Sequence, residues 1–409
     1  MVTLLLMPAW SQSAREWLRR ARAQARQGAA AEALRVLSAA RKQHPRSAEL
    51  AAEAGFLLAS LGRVVESLAQ FQDAIRLDGT NGDAHYHYGV ALWLAGNRTA
   101  AVEQLQQAVR LLPNSFDVNF RLASALFQTG KFPEAEGFAA RAVTLRTNHA
   151  RAWSLLSQAH QMAGHGEDAI AAAHRALELN PADTETRNTL GYLLVEQGQG
   201  RLGLEQFEAI LKVDPGNRTA ALNRGFALLQ LGRPGEAAEI FKAMVKENPQ
   251  AADAHYNLGL AYKLQDRLTE ARLSFDRAIA LNPNLAEAHY ARGITCWQEG
   301  DLEEARRSLQ EATEQDQQYA QAYYMEGTVL RQMQRNAEAL KALDRASSLD
   351  PSNPGPHQLR GRILLSQGNP LEAGKALAEA ERLRQLMETK QKTMFDRSAS
   401  DQRLSKPRR

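Results

Sequence analysis

The sequence has little of what marks a disulfide-stabilised, metal-bearing or membrane-spanning protein. One cysteine, Cys296, stands among 409 residues, which excludes an internal disulfide and any metal site built from several cysteines. No stretch approaches the roughly 18 consecutive apolar residues that a membrane span requires. Aromatic residues make up only 6% of the chain, and the apolar content of 44% is mostly alanine and leucine. Because these two residues favour helix and β-branched residues are few, helix is expected throughout.

Net positive charge is confined to the two ends of the chain. The net charge is +4, but residues 1–47 carry +7 and residues 388–409 carry +4, so the segment between them carries −7. A surface that binds nucleic acid along its length would need basic residues throughout. Only the two ends are therefore candidates for binding a polyanion.

The first thirteen residues, MVTLLLMPAWSQS, allow two interpretations. Residues 2–7 form a short apolar run, and small residues flank Trp10, as at a signal-peptidase site. A complete signal peptide would also have a basic start and a longer apolar segment. The segment is therefore either the irregular N-terminus of a cytoplasmic protein, or the end of a signal peptide whose start lies upstream of an exported or periplasmic protein.

An internal period of 34 residues dominates the rest of the chain. Five prolines that follow Asn or Asp are separated by 34, 34, 34 and 68 residues, at Pro181, Pro215, Pro249, Pro283 and Pro351. The register continues without insertion in both directions, as in repeat architectures. It divides residues 14–387 into eleven repeats, at 14–47, 48–81, 82–115, 116–149, 150–183, 184–217, 218–251, 252–285, 286–319, 320–353 and 354–387.

Each repeat is predicted to form two helices joined by a tight turn. The first fourteen residues place apolar side chains at i, i+3 and i+7, and a glycine usually ends this helix, although Asp266 and Gln334 replace it in two repeats. The second helix ends before the proline position, because the residue preceding proline avoids the helical conformation. Positions 8 and 20 hold only Gly, Ala or Ser in all eleven repeats. Small residues at these positions are expected where two helices cross closely.

This pattern resembles the tetratricopeptide repeat, a helix-turn-helix unit with small residues at positions 8, 20 and 27 and proline at position 32. The resemblance covers residues 14–387. It implies an all-α fold, a right-handed α–α superhelix (solenoid) of eleven helix-turn-helix repeats whose first helices line a concave groove.

The two ends of such an array need caps, because no hairpin buries its apolar face alone. Pro354 and Pro356 are expected to shorten the first helix of the last repeat, and a helical extension past residue 387 is expected to cover the last interface. The end of the chain, residues 398–409, is expected to be disordered.

Residue types that serve catalysis occur here without the context that catalysis needs. A match to the dinucleotide-binding glycine fingerprint at residues 198–203 spans an interhelix turn and follows no strand. Metal ligands on one helix would stand four residues apart, whereas the recurring histidines share position 4 of separate repeats and are expected to pack: His85, His255, His289 and His357. The chain is therefore predicted to be no enzyme and to hold no cofactor or metal.

The resemblance implies that positions 2, 5, 6, 9, 12 and 13 of the first helix face the groove. In repeat 1 these positions form an arginine stripe of Arg15, Arg19, Arg22 and Arg26, with spacings of 4, 3 and 4. Guanidinium groups bind carboxylates and phosphates through paired hydrogen bonds. The stripe is therefore either a site for an acidic segment or the solvated face of a capping repeat.

Other side chains at groove positions are candidates for peptide contacts. Trp93 and Phe127, in adjacent repeats, are expected to form an apolar anchor pocket. Asn223 and Asn257, with Asn188 near them, are similar to the asparagine rungs with which the superhelix of O-linked N-acetylglucosamine transferase holds a peptide backbone, although a catalytic domain is absent here. The remaining candidates near these rungs are Lys263, Tyr256, Tyr290 and Trp297.

These features predict a non-enzymatic scaffold that binds an extended, acidic segment of a partner protein in its groove. The alternative is binding of nucleic acid or another polyanion through the basic first repeat and the basic C-terminal tail. The partner itself is not identified by these residues.

Overall fold

The computed structural model describes residues 13–404, with side chains through residue 389. The interpretations of residues 1–12 and 405–409 concern segments outside this range. Within it the chain forms twenty-two α-helices and no strand. Their bounds are α1 (Ala14–Arg26), α2 (Ala30–Gln43), α3 (Ala48–Ser60), α4 (Val64–Leu77), α5 (Gly82–Leu94), α6 (Arg98–Leu111), α7 (Phe116–Gln128), α8 (Phe132–Leu145), α9 (Ala150–Met162), α10 (Gly166–Leu179), α11 (Thr184–Glu196), α12 (Gly200–Val213), α13 (Arg218–Gln230), α14 (Pro234–Glu247), α15 (Ala252–Lys263), α16 (Leu268–Leu281), α17 (Ala286–Glu299), α18 (Leu302–Gln315), α19 (Ala320–Gln332), α20 (Asn336–Leu349), α21 (Pro354–Ser366) and α22 (Pro370–Leu404).

Two compact halves make up the chain, Met1–Ile210 and Leu211–Arg409, here called the N-terminal half and the C-terminal half. In each half, helices pair into hairpins such as α3 with α4 and α15 with α16, and the second helix of a hairpin packs on the first helix of the next. The odd-numbered helices begin at the first residues of the 34-residue repeats. The prediction of an all-α solenoid of helix-turn-helix repeats is confirmed.

The helices start and stop where local chemistry satisfies their free backbone groups. Most odd-numbered helices begin with a side chain that accepts a hydrogen bond from the first turn, as Ser115 does from the Val118 N–H. Nine of the turns between the two helices of a repeat hold glycine with φ between +70° and +87°. Asp266 and Gln334 occupy the same turn with φ of 59° and 61°. The left-handed turn is therefore retained in those two repeats without the residue that best tolerates it.

Close helix crossing explains the small residues at position 8. A Cβ added to Gly259 would lie 2.5 Å from Phe275 Cε1, and one added to Gly225 would lie 2.4 Å from Phe241 Cζ. The two repeats with alanine at position 24 instead carry Ala123 and Ser157 at position 8. Each phenylalanine at position 24 thus has glycine opposite it in the repeat, and the small residue at that position leaves room for a methyl or hydroxymethyl group.

Position 4 has a role beyond packing. In six repeats its side chain is hydrogen-bonded to the carbonyl oxygen six residues earlier, in the loop between repeats. His289 Nε2 lies 2.9 Å from the Pro283 oxygen, Asn119 Nδ2 lies 3.0 Å from the Pro113 oxygen, and Trp153 Nε1 lies 2.9 Å from the Thr147 oxygen. In these repeats the side chain therefore fastens the loop to the helix that follows it.

Two expectations about the C-terminal cap are wrong. The helix α21 has thirteen residues, like the other first helices, although it contains Pro354 and Pro356. Both prolines lie in its first turn, where backbone N–H groups have no partner within the helix in any case. Residues 398–404, expected to be disordered, continue the helix α22 to Leu404. No glycine or proline occurs between Gly374 and Pro407 to interrupt it.

Candidate functional site

The odd-numbered helices form the surface on which the predicted contact residues lie. Neighbouring odd-numbered helices touch one another within each half, as α1 does with α3 and α15 with α17. Neighbouring even-numbered helices make no comparable contact within the described part of either half. The stack in each half therefore bends locally toward the odd-numbered helices, and we call their exposed side the first-helix face.

In the N-terminal half, the arginine stripe lies on this face, but one of its members is already paired. All four arginines are exposed. Arg22 donates to Glu53 Oε2 at 2.7 Å, and this hydrogen bond raises the pKa of the Arg22 guanidinium. Arg15, Arg19 and Arg26 form no ion pair with the described residues. Three arginines of the stripe are therefore solvated, whereas Arg22 is paired with Glu53 of the next repeat.

Beside Arg22 lies an open cleft of about 580 Å³ whose charged lining residues are mainly acidic. Glu49, Glu53 and Asp83 contribute its carboxylates, and His87 lies at its wall against the Phe56 ring, 5.1 Å away. Burial lowers the pKa of His87 despite the nearby Asp83 and Glu53. This arrangement does not suit an acidic segment, because a carboxylate entering the cleft would meet three others.

Trp93 and Phe127 are brought to the same hydrophobic cluster. Both pack, partly buried, against the core that contains Leu122 and Leu126. The guanidinium of Arg98 lies over the Trp93 ring at 5.3 Å, and Phe127 contacts Phe132 edge-on at 5.4 Å. The anchor pocket remains a prediction.

In the C-terminal half, Lys263 at the end of α15 is the distinctive cation of the first-helix face. Its side chain is half-buried, and burial lowers the pKa of its ammonium group. It forms no hydrogen bond or ion pair with the described residues. A partly desolvated charge without a partner is unfavourable unless a ligand supplies one.

Phenol rings accompany Lys263. Tyr256 stands two helical turns before it on the same side of α15. The Tyr290 ring lies 5.0 Å from the ring of Tyr319, which precedes α19. Burial raises the pKa of the Tyr256, Tyr290 and Tyr319 hydroxyls. None of these hydroxyls is hydrogen-bonded to another described residue. We call Tyr256, Lys263, Tyr290 and Tyr319 the tyrosine–lysine face.

Some of the other predicted contact residues already form hydrogen bonds within the chain. Trp297 Nε1 donates to Gln332 Oε1 at 2.8 Å, and Asn257 Nδ2 donates to the Asp253 carbonyl of its own helix at 2.8 Å. Asn188 and Asn223 are half-buried and lie in different halves. That Asn223 and Asn257 form rungs for a peptide stays a prediction.

Tyr319 was missed by sequence reasoning, although a signal for it exists. It occupies the last position of its repeat, the N-cap of the next helix, where most other repeats have Ser, Asn or Asp. Tyr319 makes no side-chain cap. An aromatic residue at a capping position therefore marks a side chain with another role.

The chain belongs to the tetratricopeptide repeat family. One family model described as tetratricopeptide repeat matches residues 18–82, 57–116, 188–252, 227–286 and 324–386, and a second matches residues 92–159 and 264–327. Tetratricopeptide repeats generally mediate protein–protein interaction, and their fold is generally a non-catalytic scaffold. The resemblance read from positions 8, 20, 27 and 32 is therefore confirmed.

Solved structures similar to this chain share little sequence identity with it. A tetratricopeptide repeat protein from Parabacteroides merdae is 17% identical with a TM-score of 0.54, over 61% of this chain and 98% of its own. MamA from Desulfovibrio magneticus RS-1 is 22% identical with a TM-score of 0.39, over 42% and 97%. YrrB, described as having an unusual peptide-binding site, is 22% identical with a TM-score of 0.39, over 47% and 98%. No curated protein matches the chain.

None of the described helices is both long enough and apolar enough to cross a membrane.

Proposed function

We propose that the protein is a non-enzymatic scaffold that binds an extended, acidic segment of a partner protein on the tyrosine–lysine face. The observation that carries the proposal is Lys263, a half-buried ammonium group that has no partner among the described residues. A carboxylate of the segment would supply the missing charge and hydrogen bonds. The three phenol hydroxyls would donate to backbone carbonyls of the same segment.

The charges around this face also orient the segment. Glu287 is exposed at the start of α17 and lies close enough to Tyr256 and Tyr319 to raise their hydroxyl pKa values. A second carboxylate beside those rings would be repelled. The acidic residue is therefore placed at the Lys263 end, and uncharged residues lie against the tyrosines.

The arginine stripe is the weaker candidate for the same acidic segment. Arg22 is bound to Glu53, and the cleft beside it already holds three carboxylates. Exposed cations that are freely hydrated contribute little to affinity. Arg15 and Arg19 thus fit better as the solvated surface of a terminal repeat.

A peptide display library selected on the full chain would test the proposal. Selected sequences are expected to carry Asp or Glu, and Lys263→Met should weaken them about ten-fold or more, the scale of one charge-assisted hydrogen bond. The double variant Arg19→Glu, Arg22→Glu serves as the matched control on the other half and should bind as wild type does. Both dissociation constants are measured at two salt concentrations.

The reverse pattern would overturn the proposal. If charge reversal at Arg19 and Arg22 abolishes binding while Lys263→Met leaves it intact, the arginine stripe is the site. If short oligonucleotides compete with the selected peptides and affinity falls steeply with salt, the basic ends bind polyanions instead. Selected peptides without acidic residues would contradict the role given to Lys263.

A further inference from the structure

A cluster of metal-ligating side chains lies away from the first-helix face, between repeats 4 and 5. Glu136 lies in α8, His160 near the end of α9, and His165 directly before α10. One oxygen or nitrogen of each side chain lies within 4.8 Å of the other two. In the described part of the chain, no other group of three such side chains has its ligating atoms together.

The distances within this cluster match those of ligands around one ion. Glu136 Oε1 lies 3.3 Å from His160 Nδ1 and 3.2 Å from His165 Nδ1, and the pair with His165 is hydrogen-bonded. Two ligands at about 2.0–2.1 Å from a tetrahedral zinc ion are about 3.3–3.4 Å apart. His160 Nδ1 is buried and forms no hydrogen bond, although the Glu136 oxygen is near. A close but misaligned pair is expected when both atoms point to a common third centre.

The backbone holds the two histidines in place. The His165 N–H donates to the His160 carbonyl at 2.8 Å, and Gly164 between them adopts φ of +82°. This turn closes the end of α9 in the manner of other helix C-caps. The backbone positions of the two histidines are therefore set before any ligand binds, which reduces the entropy lost on binding.

Comparison among the repeats shows that these polar residues replace apolar ones. Position 21 of one repeat and position 11 of the next meet at the two flanking interfaces: Val102 and Leu126 share one hydrophobic cluster, and Ile170 and Leu194 share another. At the interface between these two, the same positions hold Glu136 and His160. Two independent substitutions of core residues thus meet each other, and together they give up a hydrophobic contact.

We propose that Glu136, His160 and His165 bind a divalent zinc-type ion that joins α8 to the turn between α9 and α10. Two imidazoles and one carboxylate are a ligand set that zinc takes with a further position left open. The His165 side chain is 52% exposed and His160 15% exposed, so the open position faces solvent at His165. The ion would replace, as a link between repeats 4 and 5, the apolar contact that neighbouring interfaces have.

Zinc titration of the tag-free full chain, first stripped with a chelator, tests this site. In competition with a chromophoric chelator, wild type is expected to bind one Zn²⁺ per chain. His160→Leu and Glu136→Leu should each weaken that binding about a hundred-fold or more, beyond the effect of losing an outer-shell partner. His174→Gln removes an exposed histidine of α10 and should leave the affinity unchanged.

Thermal unfolding separates loss of the ion from loss of the fold. Zn²⁺ should raise the unfolding temperature of wild type and of His174→Gln, but not of His160→Leu. In the presence of chelator, His160→Leu should be at least as stable as wild type, because it restores the apolar residue of the neighbouring repeats. Absence of binding by wild type, or equal binding by wild type and both leucine variants, would overturn the proposal.

Discussion

In the N-terminal half, the cation of the first-helix face nearest the cleft is held by Glu53, whereas in the C-terminal half Lys263 has no partner among the described residues. The turns between the two helices of a repeat also differ between the halves. All six turns between the helices of a repeat in the N-terminal half hold glycine, while Asp266 and Gln334 adopt the left-handed conformation in the C-terminal half. A half-buried cation and two strained turns thus lie in the half to which we assign peptide binding, as stability is often lost where a protein keeps a site ready.

The largest expected effect tests whether the halves are independent in stability. Gly259→Leu in α15 should destabilise the protein by about 1–3 kcal/mol or more, because its Cβ alone would approach Phe275 to 2.5 Å. In repeat proteins each unit is supported by its neighbours. Hydrogen exchange should therefore rise first in repeats 7–9, while repeats 1–3 keep their protection.

A matched glycine controls for the substitution itself. Gly374 in α22 has no atom within 4 Å of an added Cβ. Gly374→Ala should stabilise the protein by up to about 1 kcal/mol, since alanine favours helix. Equal loss of exchange protection along the whole chain in Gly259→Leu would show that the two halves unfold as one.

The second effect concerns Lys263 and is smaller. Lys263→Met should raise the free energy of unfolding at neutral pH by about 1 kcal/mol, near the lower end for an unsatisfied buried polar group because the ammonium is partly solvated. Denaturant unfolding of wild type and variant measures it. An unchanged or lower stability would mean that the Lys263 charge is satisfied in the folded protein.

The pH dependence of that difference has a defined sign. Burial lowers the pKa of Lys263 in the folded state below its unfolded value. Between those two pKa values the unfolded state binds more protons, so wild-type stability recovers as pH rises. Below both values the cost is present in full. The difference between Lys263→Met and wild type should therefore shrink as pH rises toward 10.5, the ordinary lysine value.

Most of the fold was predictable because the period constrains it many times over. All eleven repeats share one register. Shifting that register would remove Gly, Ala or Ser from positions 8 and 20 in many repeats at once. Helix starts such as Ala48 and Ala252 follow from that register. The end of α22 had no such constraint, because no further repeat follows, and its length was underestimated.

The candidate sites were less predictable because they depend on pairs between repeats. Nothing in a period of 34 indicates that Arg22 meets Glu53, or that Tyr290 stacks on Tyr319. Glu136 and His160 are 24 residues apart in the sequence, a spacing that belongs to no metal motif. What could have identified them is the loss of an apolar residue at positions 21 and 11 of successive repeats.

The smallest expected effect returns to the two unusual turns of the C-terminal half. Gln334→Gly should stabilise the protein by about 1 kcal/mol, because a left-handed conformation strains a residue with a Cβ. Asp266→Gly should gain less, about 0.5 kcal/mol, since Asp tolerates this conformation better and glycine adds freedom to the unfolded chain. Thermal unfolding of both variants measures the gain, with Gly232→Ala, at φ of +70° in the same half, as the opposite substitution that should destabilise. If both glycine variants unfold below wild type, the two turns are held by contacts of their side chains, and the strain assigned to this half is absent.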